Sequence, residues 1–391
     1  MAIFDWAQIL LPETDSLDKW AVIACDQFAS QPEYWQSARE YVQDAPSALH
    51  LIWPEAELSD CAETRIAAIN EAMHRYLDEK LFREYPDAFI YVERTLLNGK
   101  IRRGIVGQLD LEAYDYRPDT DCPVRATEKT VVERIPPRVN IRKDAPLELP
   151  HVLLLCDDPK QIIFSSIHTQ QLPVIYDFDL MQGGGHITGW LLQGHNAQQL
   201  RQAICQYEAI EKPVKYAVGD GNHSLASAKT CYETNRLPAA RYALVELENI
   251  HDEAQQFEPI HRIVKDTDPK HLLAQLESMA GGEGYSLQWF SGSQSGTVQL
   301  QLAPGQLSVG ALQNFLDAYL QNNPGETDYI HGDDSLKQLS AKENAIGFLL
   351  PPMEKGQLFG GIVADGVLPR KTFSMGHAQE KRYYLEAKRI R

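Results

Sequence analysis

One short segment constrains this chain more than any other: residues 216–229, Tyr-Ala-Val-Gly-Asp-Gly-Asn-His-Ser-Leu-Ala-Ser-Ala-Lys. The apolar start reads as a strand and Ser224 to Asn235 as a helix, so Gly219-Asp220-Gly221-Asn222-His223 must turn one into the other. Glycine on either side of Asp220 permits positive φ and close approach of a ligand to the backbone. The free N–H groups and dipole of the helix start favour an anion, by roughly 0.3–1 kcal/mol per exposed interaction. Asn222 or Ser224 is placed to cap that helix. The same residues also suit a plain tight turn with a good cap, and Asp220 suits an Asx turn as well as it suits ligand contact. His223 adds chemistry, because an imidazole there can donate to a phosphate or act as acid or base near neutral pH.

Around this turn the periodicity changes several times. The first 85 residues read mainly as helix, with a start at Gln31-Pro32-Glu33 and a longer helix from Cys61 to Phe82 carrying Ile66, Ile69, Met73 and Leu77. Residues 88–92 and 101–111 read as strands joined by an Asn98-Gly99 hairpin turn. From Arg125 the chain looks loop-rich, with Pro136-Pro137 and Pro146 as punctuation. His151 to Cys156 reads as a buried strand, and Asp157-Asp158-Pro159 as a helix start. Gly183-Gly184-Gly185-His186 reads as a flexible stretch, and Asn196 to Ile210 as a helix. Strands are expected at 214–218, 242–247, 346–350 and 358–363, and a helix at 311–322. Residues 278–306 suit a hairpin, or a boundary near Gly281-Gly282. Strands and helices so mixed indicate an α/β fold, with α+β as the variant, in three parts: 1–124, helical with a hairpin; 125–265, the core holding the turn; and 266–391, a second α/β region.

A length of 391 residues agrees with more than one core, and 43% hydrophobic against 23% charged residues is ordinary for a globular chain. No stretch of about 18 apolar residues and no export signal is visible, so neither a membrane span nor secretion is expected. The six cysteines form no C-x-x-C pair and read as reduced, mostly buried thiols, which indicates a cytoplasmic address. A net charge of −17 argues against nucleic acid or anionic lipid as a partner. Residues 369–391 run against that balance, with seven Lys/Arg and two Glu. This end is either a solvated basic tail or a segment folded back onto a negatively charged substrate.

The 216–229 segment resembles the Asp-Gly-His-His-Arg signature of a bacterial and archaeal family, domain of unknown function 1015. More weakly, it resembles the nucleotide-binding turn of ParB/sulfiredoxin-like proteins, which include free serine kinases. Further blocks follow in the same order. Ala24-Cys25-Asp26 falls where the family has Pro-Pro-Tyr-Asp. Glu128-Lys129-Thr130, with Arg138 ten residues after Glu128, resembles His-Glu-x-Thr…Asp-Arg. Pro150-His-Val-Leu-Leu154 resembles a Ser-Pro-Ile strand, Glu258-Pro-Ile-His-Arg262 resembles Pro-Thr-His-Arg, and Pro369-Arg-Lys-Thr372 resembles Pro-x-Lys-Ser/Thr. Three positions depart: Asn222 and Ser224 replace the family's His and Arg, and Thr127 its other His. The turn therefore lacks a guanidinium that would grip phosphate bidentately.

The resemblance implies a ParB-like core and a composite site. His223, Glu128 and Asp26 would be its catalytic groups. Asp220, Gly221, Asn222, Ser224, Thr130, Arg138, His261, Arg262, Lys371 and Thr372 would hold substrate or phosphate. Each also has a plainer reading, as a surface acid for Glu128 and Asp26, or as a structural ion pair for Arg262. Asn249, His251 and Asp252 rank second, on the loop after a strand, and a lone His186 reads as structural. By analogy with the serine kinases, the activity implied is nucleotide-dependent phosphotransfer to a small metabolite, with Mg2+ as the usual companion of phosphates. A non-catalytic nucleotide or metabolite sensor is the first rival, and a metal-dependent hydrolase built on His223, His251 and His261 the second. No P-loop, G-x-G-x-x-G, G-x-S-x-G or H-E-x-x-H motif occurs.

Overall fold

The structure, a computed structural model, describes all residues except 1, 59–61, 129, 131–134, 280–283, 304–305 and 370, and it leaves out the side chains of Pro137, Met279 and Asp365. It shows a mixed α/β protein whose chain gathers into two compact units. Residues 1–126, 130–255 and 377–391 form unit 1, and residues 127–129 and 256–376 form unit 2. This differs from the three consecutive parts expected: 125–265 is no separate core, and the end of the chain returns to the first unit. The Gly281-Gly282 boundary lies outside the described residues.

Unit 1 is built on an 11-stranded mixed sheet. Its main path runs Val174–Asp179, His186–Leu192, Phe82–Thr95, Ile101–Asp110, Tyr242–Asn249, Leu153–Cys156, Tyr216–Asp220, Val124–Ala126 and Tyr114–Asp115. Two short strands, Phe4–Asp5 and Ala7–Pro12, pair beside it. The Tyr216–Asp220 strand runs parallel to Val124–Ala126 and antiparallel to Leu153–Cys156. Successive side chains of a strand point to opposite faces. Accordingly Ala88, Ile90 and Val92 enter one apolar core while Phe89 and Tyr91 enter another. A sheet buried on both faces explains why residues 88–92 are apolar without alternation.

Helices Pro32–Val42 and Ala62–Asp78 take the places expected of them, with Pro32 in the first turn, where its missing N–H is not needed. The hairpin at Asn98-Gly99 also forms, with Gly99 at φ 78. Several expectations are corrected. The first 85 residues contain strands as well as helices. The loop-rich stretch holds a helix, Ile135–Arg142, because prolines fit a helix's opening turn. Asp157-Asp158-Pro159 opens no helix; a short 3-10 turn, Phe164–Ser166, follows instead. His186 begins a strand, and both its ring nitrogens face carboxylates, Asp177 at 2.6 Å and Asp179 at 2.7 Å.

From His377 on, the basic end is not a solvated tail. Residues 377–391 lie within unit 1, and their cations meet its acids: Lys381 faces Asp220 at 3.6 Å, Arg382 faces Glu246 at 2.8 Å and also Glu386, and Lys388 faces Glu148 at 3.8 Å. Arg382 is 2% exposed and Glu386 fully buried. Buried charge persists only where it is paired in this way.

Unit 2 has a six-stranded antiparallel sheet ordered Gln294–Leu300, Tyr285–Ser291, Ile346–Leu349, Phe257–Lys265 and Glu326–His331, with Phe373–Met375 on the first half of Phe257–Lys265. Residues 285–300 form the hairpin expected there. The expected strand at 358–363 is instead the helix Gln357–Asp365. A short apolar run such as Leu358-Phe-Gly-Gly-Ile-Val cannot be assigned by period alone. Among the described residues no helix is long and apolar enough to cross a membrane.

Candidate functional site

The strand–turn–helix expected at 216–235 is present: Tyr216–Asp220 leads through Gly221 into the helix Asn222–Asn235. The helix starts two residues earlier than the sequence suggests. That shift moves Asn222, His223 and Ser224 from the cap into the first turn, and none of them caps it. The N-cap is Gly221, at φ 81, a residue with no side chain to accept from the opening N–H groups. Glycine is required at that position. A Cβ there would stand 3.0 Å from His151 Cδ2 and 3.1 Å from Val152 Cα, in a backbone conformation that other residues adopt only with strain. Gly221 thus packs against a residue that the sequence reading treated as part of a buried strand. That strand begins only at Leu153, and His151 lies on the segment before it.

His151 is the centre of a cluster in unit 1. Its Nε2 lies 3.3 Å from Asp26 Oδ2 and its Nδ1 2.7 Å from the Tyr384 hydroxyl. Tyr384 Oη also accepts from the Cys25 backbone N–H at 3.3 Å and donates to Cys25 Sγ at 3.2 Å. Burial opposes a charge on His151, but the Asp26 carboxylate more than offsets it and holds the imidazole well above its usual range. Burial likewise pushes Asp26 up, and His151, with Arg138 farther off, brings it below the usual carboxylate range. The pair is therefore ionised at neutral pH.

Cys25, His151 and Tyr384 open onto a pocket of about 870 Å3, counting the solvent at its mouth. That size falls within the span of small-molecule sites. Arg138, Glu55, Ser224 and Ser227 contribute polar groups, and Leu51, Trp53, Met73 and Ile141 are among the apolar ones. Arg138 comes from the helix Ile135–Arg142 and is ion-paired with Glu55, each about one-fifth exposed. Ser224 comes from the first turn of the helix behind Gly221.

Of the expected site residues, the pocket brings Arg138 and Ser224 together, with Asp26 behind His151 and Gly221 against it. Other residues of unit 1 go elsewhere. Asp220 faces Lys381 at 3.6 Å, and Asn222 Nδ2 reaches back to the Val218 carbonyl at 3.5 Å. The His223 carbonyl accepts from Ser227 Oγ at 2.7 Å, and Thr130 is buried away from the pocket lining. Asn249 is buried, donating to the Asp158 carbonyl at 2.8 Å, while His251 meets Asp157 at 2.7 Å and Asp252 meets Arg103 at 3.3 Å.

The rest belong to unit 2 and are tied into it. The Lys371 N–H donates to Glu128 Oε1 at 3.1 Å. Arg262 is fully buried in mid-strand; it donates to Gln313 Oε1 at 2.7 Å and to the carbonyls of Ile260 and Lys371 at 2.7 and 3.0 Å. Burial lowers its guanidinium to about 10, so it remains charged. His261 Nδ1 accepts from the Leu350 N–H at 3.1 Å, its Nε2 faces Asp333 at 3.1 Å, and burial lowers it despite that carboxylate. His261-Arg262 thus lies within a strand and not in a loop at its start. Thr372 Oγ1 donates to the Pro369 carbonyl at 2.7 Å.

Pocket residues not singled out in the sequence include Cys25, Glu55, His151 and Tyr384. Cys25 and His151 stood inside blocks already quoted, beside Asp26 and after Pro150. Tyr384 carried no signal in a segment read only for charge. Among the described residues, no three His, Cys, Asp or Glu side chains stand together as a metal cage.

Fold and pocket together define an α/β protein with a ligand-sized site in its larger unit. The model of the family described as "Protein of unknown function (DUF1015)" matches residues 7–389, and the chain belongs to that family. No curated protein matches it. Similar solved structures include a free serine kinase variant in complex with ADP, 10% identical over 74% of this chain and 93% of that one, with a TM-score of 0.41. A conserved hypothetical protein from Pyrococcus furiosus is 11% identical over 72% and 94%, with a TM-score of 0.37. C-terminally truncated SbnI from Staphylococcus aureus is 10% identical over 69% and 83%, also at 0.37. At such values no residue role passes from one chain to another.

Proposed function

We propose that this protein is a nucleotide-dependent phosphotransferase acting on a small metabolite, with the pocket of unit 1 holding the phosphorylated ligand. The observation that carries the reading is the opening of a helix's first turn onto a ligand-sized pocket. Ser224, in the first turn of that helix, lines the pocket together with Arg138. A phosphate there would meet backbone N–H groups, the positive end of the helix and a guanidinium. The apolar wall that includes Leu51, Trp53 and Met73 would receive a flat or apolar group, as a nucleobase is.

Mg2+ would enter with the nucleotide, since it takes one or two carboxylates and completes its shell from phosphates and water. Glu55 and Glu148 line the pocket and Asp26 stands behind it, so these are the carboxylates available. Asp26, held low by His151, suits orienting a hydroxyl better than removing its proton. The resemblance of the Asp-Gly-Asn-His turn to that of free serine kinases supports the same activity.

A test is thermal unfolding of the purified protein with ATP, ADP and CTP, each with and without Mg2+. Stabilisation by one nucleotide, reduced in Arg138→Ala, is expected; no shift with any of them overturns the reading. Phosphorus NMR with small hydroxylated metabolites then tests for product. A second reading, a non-catalytic nucleotide or metabolite sensor, is favoured by one observation: the pocket's two guanidinium groups, Arg138 and Arg142, are already paired with Glu55 and Glu148. Binding without product selects it.

A further inference from the structure

Cys25 is half-buried, lines the pocket, and stands beside Tyr384 and His151, two groups that phosphotransfer does not use. A phenol hydroxyl has one proton to donate and two lone pairs with which to accept. At Tyr384 both accepting directions are taken, by the Cys25 N–H at 3.3 Å and by His151 Nδ1 at 2.7 Å. Its proton is therefore left for Cys25 Sγ, at 3.2 Å. His151 donates from Nδ1 because, held as an imidazolium by the Asp26 carboxylate 3.3 Å from Nε2, it carries protons on both nitrogens. The line Asp26–His151–Tyr384–Cys25 thus directs a hydrogen bond at the sulfur and places a cation one group behind it. A donor to sulfur and a nearby positive charge are what stabilise a thiolate. A nucleophile, a base and a group orienting the base, all beside a ligand-sized pocket, form the pattern of covalent catalysis.

We infer that Cys25 is a thiolate nucleophile that accepts an acyl group from an ester whose apolar part lies in the unit 1 pocket. The sulfur attacks the carbonyl carbon and a C–S bond forms. As the C–O bond breaks, the leaving oxygen takes the Tyr384 proton, and Tyr384 is reprotonated from His151 Nδ1. Water then attacks the thioester carbonyl, the C–S bond breaks, and the proton lost by water returns through Tyr384 to His151. An acid and an alcohol are released, and the thiolate–imidazolium pair is restored. The activity is separate from phosphotransfer and needs no nucleotide.

The probe is p-nitrophenyl butyrate, whose phenolate leaves without a proton, so that its burst reports on the sulfur alone. Peptide mass mapping compares acylation of Cys25 with that of exposed Cys205 in the same protein, with no nucleotide present. The expected result is acylation of Cys25 at least tenfold faster than Cys205 at pH 7, with a burst lost in Cys25→Ser. The groups facing the sulfur are Tyr384, His151 and Asp26, and the pocket adds the Arg138–Glu55 and Arg142–Glu148 pairs. In Tyr384→Phe, a positioning change, acylation of Cys25 is expected to slow at least tenfold while that of Cys205 stays fixed. Acylation of Cys25 in the unaltered protein no faster than Cys205 overturns the proposal, whether or not the variants fold. A nucleotide shift in the unaltered protein is measured separately, so neither result decides the other.

Discussion

His151 and Asp26 form an ion pair with 3.3 Å between Nε2 and Oδ2, and it joins the segment before one sheet strand to the segment after the short strand Val22–Ile23. The imidazole is held above, and the carboxylate below, their ordinary ranges. Asp26→Asn should drop the His151 pKa and cost about 2 kcal/mol at pH 7, somewhat less than a fully buried pair because Asp26 keeps partial exposure. Imidazole NMR titration and urea unfolding measure the two effects. The sign follows from linkage. The His151 contribution is fully present below pH 6.5 and is lost as pH rises through its raised value, while that of Asp26 is lost only as pH falls below about 4. An unchanged His151 titration in the variant would refute the pairing.

Gly221 is irreplaceable on backbone grounds. Gly221→Ala places a Cβ 3.0 Å from the His151 ring at φ 81, so a loss of about 1–2 kcal/mol is expected. Gly99→Ala, at φ 78 with open space around it, carries the backbone cost alone and should lose less. Chemical denaturation of both variants ranks them, and equal losses would show that the His151 contact is immaterial.

Glu248 sets a pH dependence of the opposite kind to Asp26. Burial raises its carboxyl to about 7, against Arg102 at 2.9 Å and reinforced by Glu246. A carboxyl raised in the fold binds protons more tightly there than in the unfolded chain. Its contribution is present below pH 4.5 and is lost as pH climbs through 7. Glu248→Gln should therefore flatten the fall in unfolding midpoint between pH 5 and pH 8. A curve as steep as that of the unaltered protein would contradict this.

Arg382 neutralises two buried acids at once, Glu246 and Glu386. Arg382→Met should cost about 3–5 kcal/mol, since it leaves carboxylates buried without their cation. Arg389→Met, whose partner Glu84 is 3.8 Å away and whose side chain is half exposed, should cost under about 1 kcal/mol. Guanidinium unfolding of the two variants decides, and similar losses would refute the contrast.

How much was legible follows from which interactions are local. The turn at 216–235 was readable because glycine, a short apolar strand and a helical period lie side by side. The strands at 82–95 and 101–110 announced themselves through the hairpin signal at Asn98-Gly99. The first-turn placement of Ser224 was not readable, because side-chain preference argued for a cap where the backbone used Gly221. The role of Tyr384 lay beyond the sequence entirely. Its hydroxyl meets Cys25 and His151 only after distant segments assemble, and counting charges in 369–391 could reveal neither this nor the acids that receive Arg382 and Lys388. Arg262 and His261 were visible as unusual residues, but mid-strand burial gives both a framework role within unit 2.

The return of residues 377–391 to unit 1 has a consequence for biosynthesis. The ribosome makes all of residues 256–376 before it supplies Tyr384 and Arg382, so the larger unit stays unfinished while the smaller one is being translated. Until then, Glu246 lacks its cation and His151 lacks the phenol that faces its Nδ1. Any messenger truncated within unit 2 therefore yields a first unit with uncompensated charge in its interior, a product fit for proteolysis and not for function.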